Sequence, residues 1–289
     1  MKRRLIFLLV LWYILQQIAG GAAEPYPRRI VSTVPNFTEI LFALGLEDRV
    51  VGVTDFCRYP PEASRKEKIG GFLNPNMEKI VSLEPDLILL PKTKSALAQK
   101  IQGLGIPILE IPNETITDAL NAITCIAQRT GAAERGESLR KRLEKDISSV
   151  QQSCAARDSV RTLIIVSHSP DSLKDLYAAA PGTFLDELLG IAGGANILPR
   201  GQILYPKISK ESLVMLNPEA ILDAAYSGYE FTTDTLRGAL GSWQSLPAIK
   251  AVKENRVYFI TDPSITIPGP RVADSARFIA ALLHPERKR

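Results

Sequence analysis

The 289-residue chain has few of the residues from which catalytic and metal sites are commonly built. It contains two histidines and three cysteines, and one histidine, His284, lies in the charged C-terminal tail. The other, His168, would need acidic co-ligands to hold a mononuclear metal, and no acids cluster near it. The motifs G-x-S-x-G, G-x-x-x-x-G-K-[ST], H-E-x-x-H and G-x-G-x-x-G are absent. We therefore expect no enzymatic activity, no cofactor and no metal site.

The cysteines predict no disulfide framework. Three thiols, Cys57, Cys125 and Cys154, leave at least one free unless pairing is intermolecular. Cys125 and Cys154 fall on a predicted helical hairpin that turns near Gly131. At about 1.5 Å per residue they would lie roughly 25 Å apart along it, which is beyond the reach of a disulfide.

A long hydrophobic run is also missing. The apolar run at residues 5–15 has 11 residues, well short of the roughly 20 that span a bilayer. Three basic residues precede it and Gly21-Ala22-Ala23 follows it, which is typical of a secretory signal cleaved near Ala23. Because no cysteine lies near the cleavage point, we expect no lipid anchor and an exported, soluble protein. Without residues 1–23 the net charge falls from +4 to about +1, which argues against a nucleic-acid partner.

What the chain does have is an internal repeat. Residues 78–89, E-K-I-V-S-L-E-P-D-L-I-L, are similar in sequence to residues 211–222, E-S-L-V-M-L-N-P-E-A-I-L. Each copy predicts a short helix that opens with an acid, ends before a proline and leads into a buried strand. A polar capping residue, Asn76 or Ser209, lies two places before the glutamate. One such match can arise by chance, or because both helices need an acid near the cap. The repeat nevertheless favours two similar lobes, the first presenting Glu78 and the second Glu211.

A second repeat occurs in the same order. Residues 38–46 resemble residues 186–194 and align Glu39 with Glu187. These two copies lie farther apart in the chain than the copies of the first repeat. The difference predicts an insertion in the first lobe, consisting of the strand at residues 50–53 and the loop after it.

The order of predicted elements indicates an α/β fold. Short strands alternate with helices of about ten residues, which is typical of parallel βαβ units and of Rossmann-like lobes. Helices are predicted at residues 184–191 and 272–283, and a separate element at residues 243–248.

Residues 132–156 predict one long helix, either a surface helix of a single domain or, since it lies between the repeats, a rigid strut. We expect an N-terminal lobe at residues 24–131, a connecting helix at 132–157, a C-terminal lobe at 158–289, mainly parallel sheets and a ligand cleft between the lobes.

Aromatic residues are scarce, at 7%, yet several fall in loops after predicted strands. Such positions suit either ordinary loop anchors or the walls of a flat apolar ligand site. They are Phe56, Tyr59, Phe72, Tyr177, Tyr205, Tyr226 and Tyr229.

Three further side chains are candidates for ligand contact. His168 follows a strand, where α/β proteins place ligand-binding groups, or it is a histidine satisfied by its own loop. Arg58 and Arg271 could bind an anionic ligand group. Arg271 opens the last predicted helix and is equally suited to a structural salt bridge.

Three segments carry a family resemblance. They are R-I-V-S-T-V-P-N-F-T-E-I-L-F-A-L-G, V-V-G-V-T-D-F-C-R-Y-P-P-E-A and G-G-F-L-N-P-N-M-E-K-I-V-S-L-E-P-D-L-I-L-L. Together they resemble the helical-backbone (class III) periplasmic binding proteins of ABC importers for cobalamin, haem and ferric siderophores, and the cobalamin-binding members most closely.

The resemblance implies a periplasmic monomer whose two lobes are joined by one long helix. Ligand contact is implied for Phe56, Phe72 and Tyr205, and more loosely for Tyr177. Glu78 and Glu211 match the family's docking glutamates, which meet arginines of the inner-membrane permease. The ligand is then a corrinoid, or else haem or a ferric siderophore. Two other classes of protein remain as alternatives to a transport protein. One is a secreted enzyme that uses His168, and the other is a ligand scavenger that would not need Glu78 and Glu211.

Overall fold

The structure is a computed structural model that describes residues 26–92, 96–169, 172–228 and 232–285. The predicted signal segment and Tyr229 lie outside these residues. The chain begins with β1 (Ile30–Ser32), α1 (Pro35–Ala43), β2 (Val50–Val53), α2 (Met77–Ser82), β3 (Leu87–Pro91), α3 (Ala96–Gln102) and β4 (Ile108–Ile111). The four strands form a parallel sheet in the order β2-β1-β3-β4. All residues of β3 are buried, as expected for a parallel strand that is covered on both faces.

Two long helices follow the first sheet. Helix α4 (Ile116–Thr130) ends at Gly131, whose φ of +74° is the left-handed conformation that glycine adopts most easily, and α5 (Ala133–Cys154) runs back for 22 residues. At about 1.5 Å per residue α5 is roughly 33 Å long. The predicted hairpin is confirmed, and Cys57, Cys125 and Cys154 are all free thiols in the structure.

The second half contains a mixed sheet. Its elements are β5 (Val160–Ser167), β6 (Leu176–Ala178), α6 (Phe184–Ile191), β7 (Gly194–Asn196), β8 (Lys207–Ile208), α7 (Lys210–Leu216), β9 (Ala220–Asp223), α8 (Thr233–Gln244), α9 (Lys250–Lys253), β10 (Val257–Phe259) and α10 (Val272–Leu283). The strand order is β10-β9-β5-β6-β8, with β7 also paired to β5. The β5–β6 and β6–β8 pairs are antiparallel and the other pairs are parallel, so the predicted α/β class with mainly parallel sheets is confirmed.

One hydrophobic core joins the two halves. It contains Ile30 and Phe37 from the first half, Leu139 from α5, and Leu188 and Ile279 from the second half. Helix α5 contacts α4 as well as both α6 and α10. The two sheets are therefore connected by packed side chains as well as by the chain.

Two details of the predicted organisation are wrong. Residues 243–248 are not an element of their own, since Trp243 lies fully buried in the last turn of α8. Strand β2 is not an insertion either, because β7 occupies the equivalent place beside β5. The extra length of the first half lies mainly in the loop after β2, at residues 54–76, which was the other part of the predicted insertion. It corresponds to the shorter segment at residues 197–209, which contains β8.

Candidate functional site

The repeated segments form two matching corners on the molecule. Helix α2 is capped by Asn76, whose Oδ1 accepts from the Lys79 N–H at 2.9 Å, and α7 by Ser209, whose Oγ accepts from the Ser212 N–H at 3.1 Å. The residue before each proline, Glu84 or Asn217, has a φ of +44°. The capped helix starts expected from the sequence are confirmed, and the two corners share the same left-handed end.

The two repeated glutamates lie exposed on these corners. Among the described residues, neither Glu78 nor Glu211 is within ion-pair distance of a basic side chain, and the neighbouring Lys79 pairs instead with Glu67 at 2.6 Å. The backbone N–H of Glu211 and the Ser209 hydroxyl hydrogen-bond to its carboxylate and lower the pKa of Glu211. Each carboxylate is thus accessible to a partner, and that of Glu211 is held in its charged form.

The same repeat extends to an aromatic residue in each lobe. Extended backwards at the same spacing, it pairs Phe72 with Tyr205, each six residues before its glutamate. Phe72 is partly buried against the core, whereas Tyr205 is 48% exposed. An aromatic residue and an exposed acid are therefore carried on one short segment in each lobe.

A cleft cavity of about 450 Å³ lies between the two halves. The first half contributes Glu114 and Thr115, which follow β4, and the second half contributes Thr183, Phe184 and Tyr205. Burial and then the nearby Glu114 carboxylate raise the pKa of Tyr205, so its phenol stays protonated. Of the residues predicted to bind ligand, Tyr205 is the one that lines this cavity.

The second repeat ties the lobes together. Glu39 on α1 accepts two hydrogen bonds from Arg271 at the start of α10, at 2.9 Å from Nε and 2.6 Å from Nη2. Its counterpart Glu187 on α6 accepts the backbone N–H of Ile116, at the start of α4, at 2.7 Å. Each glutamate reaches across to the other half of the molecule, a role that sequence spacing did not reveal.

Arg271 therefore has the structural role that was left open for it. Its guanidinium lies 4.1 Å from the centre of the Tyr59 ring and 3.7 Å from Asp262, besides its two bonds to Glu39. Burial raises the pKa of Glu39, and the Arg271 hydrogen bonds and charge oppose that rise. Its Nε and Nη2 are engaged by Glu39, and ligand contact by Arg271 stays a prediction.

His168 is likewise held by the protein. Its side chain is 1% exposed, with Nε2 3.0 Å from Asp223 Oδ2 and Nδ1 2.8 Å from the Ser169 carbonyl. Both ring nitrogens face acceptors, which is the arrangement of a doubly protonated imidazole. Burial alone lowers the pKa of His168, but the hydrogen bond and charge of Asp223 raise it above its usual value. The Trp243 indole donates to the same carboxylate at 2.9 Å, so His168 is a satisfied buried histidine and not part of the cleft wall.

The remaining candidates are not among the residues that line the cavity. Arg58 donates from Nη1 to the Gly228 carbonyl at 3.1 Å, and this contact joins the two halves. Phe56 is 60% exposed and lies near Gly71. Tyr177 is 39% exposed in β6, opposite Lys207. Ligand contact by Phe56, Phe72, Tyr177 and Arg58 stays a prediction.

The aromatic pattern missed two cleft residues that another signal could have found. Thr115 and Thr183 line the cavity and cap α4 and α6, each accepting the backbone N–H of an aspartate three residues later. The pattern T-x-x-D before an apolar run is a capping signature that is readable in the sequence. It places two helix starts at the cleft, one from each lobe.

The described residues contain no group of three or more His, Cys, Asp or Glu side chains placed to hold a metal ion. None of the helices in this part of the chain is both long enough and apolar enough to cross a bilayer.

Two α/β lobes with a cleft between them and one long connecting helix define the class III periplasmic binding protein fold. The chain belongs to the periplasmic binding protein family, whose pattern matches residues 30–263. An uncharacterised ABC transporter substrate-binding lipoprotein of Bacillus subtilis, YvrC, is 32% identical over 268 residues, covering 90% of this chain and 81% of the relative. A vitamin B12-binding protein of Vibrio cholerae is 26% identical over 273 residues, covering 92% of this chain and 93% of the relative.

Solved structures agree on the fold. The periplasmic vitamin B12-binding protein BtuF of Vibrio cholerae superposes with a TM-score of 0.75 at 24% identity, covering 91% of this chain and 99% of that one. The periplasmic haem-binding protein RhuT of Roseiflexus sp. RS-1 superposes with a TM-score of 0.74 at 24% identity, covering 89% of this chain and 98% of that one. The family consists of transport proteins that bind substrates, and this chain is a binding protein of the ABC-transporter type.

Proposed function

We propose that this protein binds a cobalamin-like corrinoid in the cleft and delivers it to the permease of an ABC importer, docking through Glu78 and Glu211. The observation that carries the docking role is the pair of matched, exposed carboxylates without a basic partner among the described residues. Helix capping alone explains an acid at each helix start, but it does not explain why both acids are exposed in the same frame without a basic partner.

The docking proposal predicts a loss of transport without a loss of ligand binding. A charge-assisted arginine contact contributes about 1.5–3 kcal/mol, so removing two should weaken docking by roughly 100-fold or more. Glu78→Ala with Glu211→Ala should therefore abolish uptake of labelled cyanocobalamin by cells while leaving its affinity for the isolated protein unchanged. Glu134→Ala with Glu137→Ala changes the net charge equally on the exposed face of α5 and is the matched control. Uptake that persists in the first double variant would refute the docking role.

The charge of the cleft supports a corrinoid ligand. Among the described residues that line the cavity, the one charged side chain is Glu114, and no basic side chain is present. A ferric catecholate siderophore or a haem with ionised propionates would bring negative charge to a site without a cation, at a cost in desolvation. The amide groups of a corrinoid carry no such charge and can exchange hydrogen bonds with Thr115 and the Tyr205 hydroxyl. A corrinoid is larger than this cavity, so part of it must lie outside.

Haem is the second candidate, because solved haem-binding proteins share the fold. Haem iron is commonly ligated by histidine or tyrosinate, but His168 is buried and hydrogen-bonded, and the raised pKa of Tyr205 disfavours its phenolate.

Calorimetry with cyanocobalamin, cobinamide, haem and a ferric siderophore separates the ligands. Heat from the corrinoids alone is the expected result, and binding of haem alone would refute the proposal. Tyr205→Phe should preserve most corrinoid affinity because the ring remains, whereas Tyr205→Ala should lose about 1 kcal/mol or more of stacking and burial.

A further inference from the structure

A second cavity, of about 530 Å³, lies in the second half of the molecule and is distinct from the cleft. Its wall is almost wholly apolar and includes Ala180, Leu198, Pro199, Ile203, Met215 and Leu216. The loop at residues 199–206 separates it from the cleft, since Ile203 faces this cavity while Leu204 and Tyr205 line the cleft. We call it the α7 pocket.

The rim of the α7 pocket is exposed. Met215 is 79% exposed and Ile203 is 67% exposed. Apolar side chains gathered around an apolar cavity are characteristic of an interaction site. Met215 lies four residues after Glu211 on α7, so both side chains project from one face of the helix, roughly 5–6 Å apart at Cβ. The pocket is thus continuous with the surface proposed to meet the permease.

The first lobe lacks this feature at the equivalent place. At the spacing of the repeat, the counterpart of Met215 is Ser82, the last residue of α2. The repeat therefore preserves the acid on both lobes and provides the large apolar side chain on one. Helix packing alone does not explain that difference, because Ser82 and Met215 are both exposed.

We propose that the α7 pocket is a second docking contact, which receives an aliphatic or aromatic side chain of the importer's membrane subunit while a basic side chain meets Glu211. This inference rests on the proposed docking role of Glu211. Because the pocket is continuous with the surface around Glu211, its occupant is expected to belong to the same partner that meets Glu211. The Glu211 carboxylate disfavours a second copy of the chain, because a two-fold contact through α7 would bring two of these carboxylates together.

The test replaces the apolar rim without changing charge. Ile203→Gln with Met215→Gln alters two exposed side chains, so the protein should remain folded, and Leu236→Gln with Leu240→Gln on the exposed face of α8 is the matched control. Binding is measured to the complete importer in lipid nanodiscs and to nanodiscs of the same lipid alone. We expect about 10- to 100-fold weaker importer binding for the double glutamine variant, as for loss of a buried methionine, and unchanged binding for the control.

The outcomes separate this inference from the docking role itself. If the double glutamine variant binds the importer normally while Glu78→Ala with Glu211→Ala does not, the α7 pocket is not a docking contact and the glutamates still are. If neither variant loses affinity, both proposals fail. If the glutamine changes instead abolish binding to lipid alone, or self-association in sedimentation, the occupant is a membrane or a second copy and the inference is overturned.

Discussion

The ion pair between Glu39 and Arg271 allows a quantitative test of how the lobes are held together. The Glu39 side chain is 3% exposed and both of its oxygens accept from the guanidinium. Arg271→Met keeps an apolar side chain of similar reach but leaves this carboxylate buried without its cation. Removing one partner of a buried pair costs about 3–5 kcal/mol, so we expect that loss in the free energy of unfolding at neutral pH.

The control lies on the same helix. Arg277 pairs with Asp274 at 2.6 Å and with Asp146 at 3.5 Å, but its side chain is 48% exposed. Arg277→Met should therefore cost less than about 1 kcal/mol. Urea unfolding followed by circular dichroism and by Trp243 fluorescence compares the two variants. If Arg271→Met is no more destabilising than Arg277→Met, the buried pair does not hold the lobes together.

A double substitution and a pH series check the cause. Glu39→Gln combined with Arg271→Met should be more stable than Arg271→Met alone, because no charge is then left buried. In Arg271→Met, burial raises the pKa of Glu39 unopposed, so the native state binds the extra proton at higher pH than the unfolded state. The free energy of unfolding of that variant should therefore rise as the pH falls towards 4.5, and its deficit relative to wild type should shrink. A deficit that does not change with pH would show that the loss comes from packing.

Three further outcomes are expected. Asp223 raises the pKa of His168 in the native state, so protonated His168 stabilises the fold. The free energy of unfolding of wild type should therefore exceed that of His168→Gln by most below pH 6.5, and the difference should decline at higher pH. A difference that grows with pH would contradict this. Glu187→Ala should lower the free energy of unfolding by about 1.5–3 kcal/mol, since the Ile116 N–H loses a charged acceptor, and Glu144→Ala on the exposed face of α5 is the control. Small-angle scattering should show little change in radius on ligand binding, and a contraction of several ångströms would refute the rigid-strut interpretation of α5.

Much of the fold was readable from the sequence because its signals are local. Predicted and observed bounds coincide for β2, α6 and α10, three segments that consist largely of apolar residues. Helix α8 was missed because Gly238 and Gly241 weaken its propensity, and the burial of Trp243 and Ala239 stabilises it instead. Strands β6, β7 and β8 have two or three residues each, and pairing with a neighbour defines them more than their own composition does.

The candidate site divides in the same way. The positions of Glu78 and Glu211 at capped helix starts were predictable because each helix repeats a local sequence pattern. That pattern does not depend on contacts with distant parts of the chain. A structural salt bridge was one of the roles open to Arg271, but its pairing with Glu39 was not readable because 232 residues separate them. His168 shows the same limit, since its partner Asp223 lies 55 residues away on a neighbouring strand and spacing gave no sign of the pairing.

The two repeats place acids in opposite directions, and this contrast bears on the docking proposal. Glu39 and Glu187 point inward, and each is neutralised or hydrogen-bonded by the other half of the molecule. Glu78 and Glu211 point outward, and among the described residues no basic side chain pairs with them. An acid that serves only its own lobe can be satisfied within that lobe, as Glu219 is by Lys250 at 2.7 Å. The outward pair lacks such a partner in both lobes, which is the arrangement expected if the partner belongs to another protein.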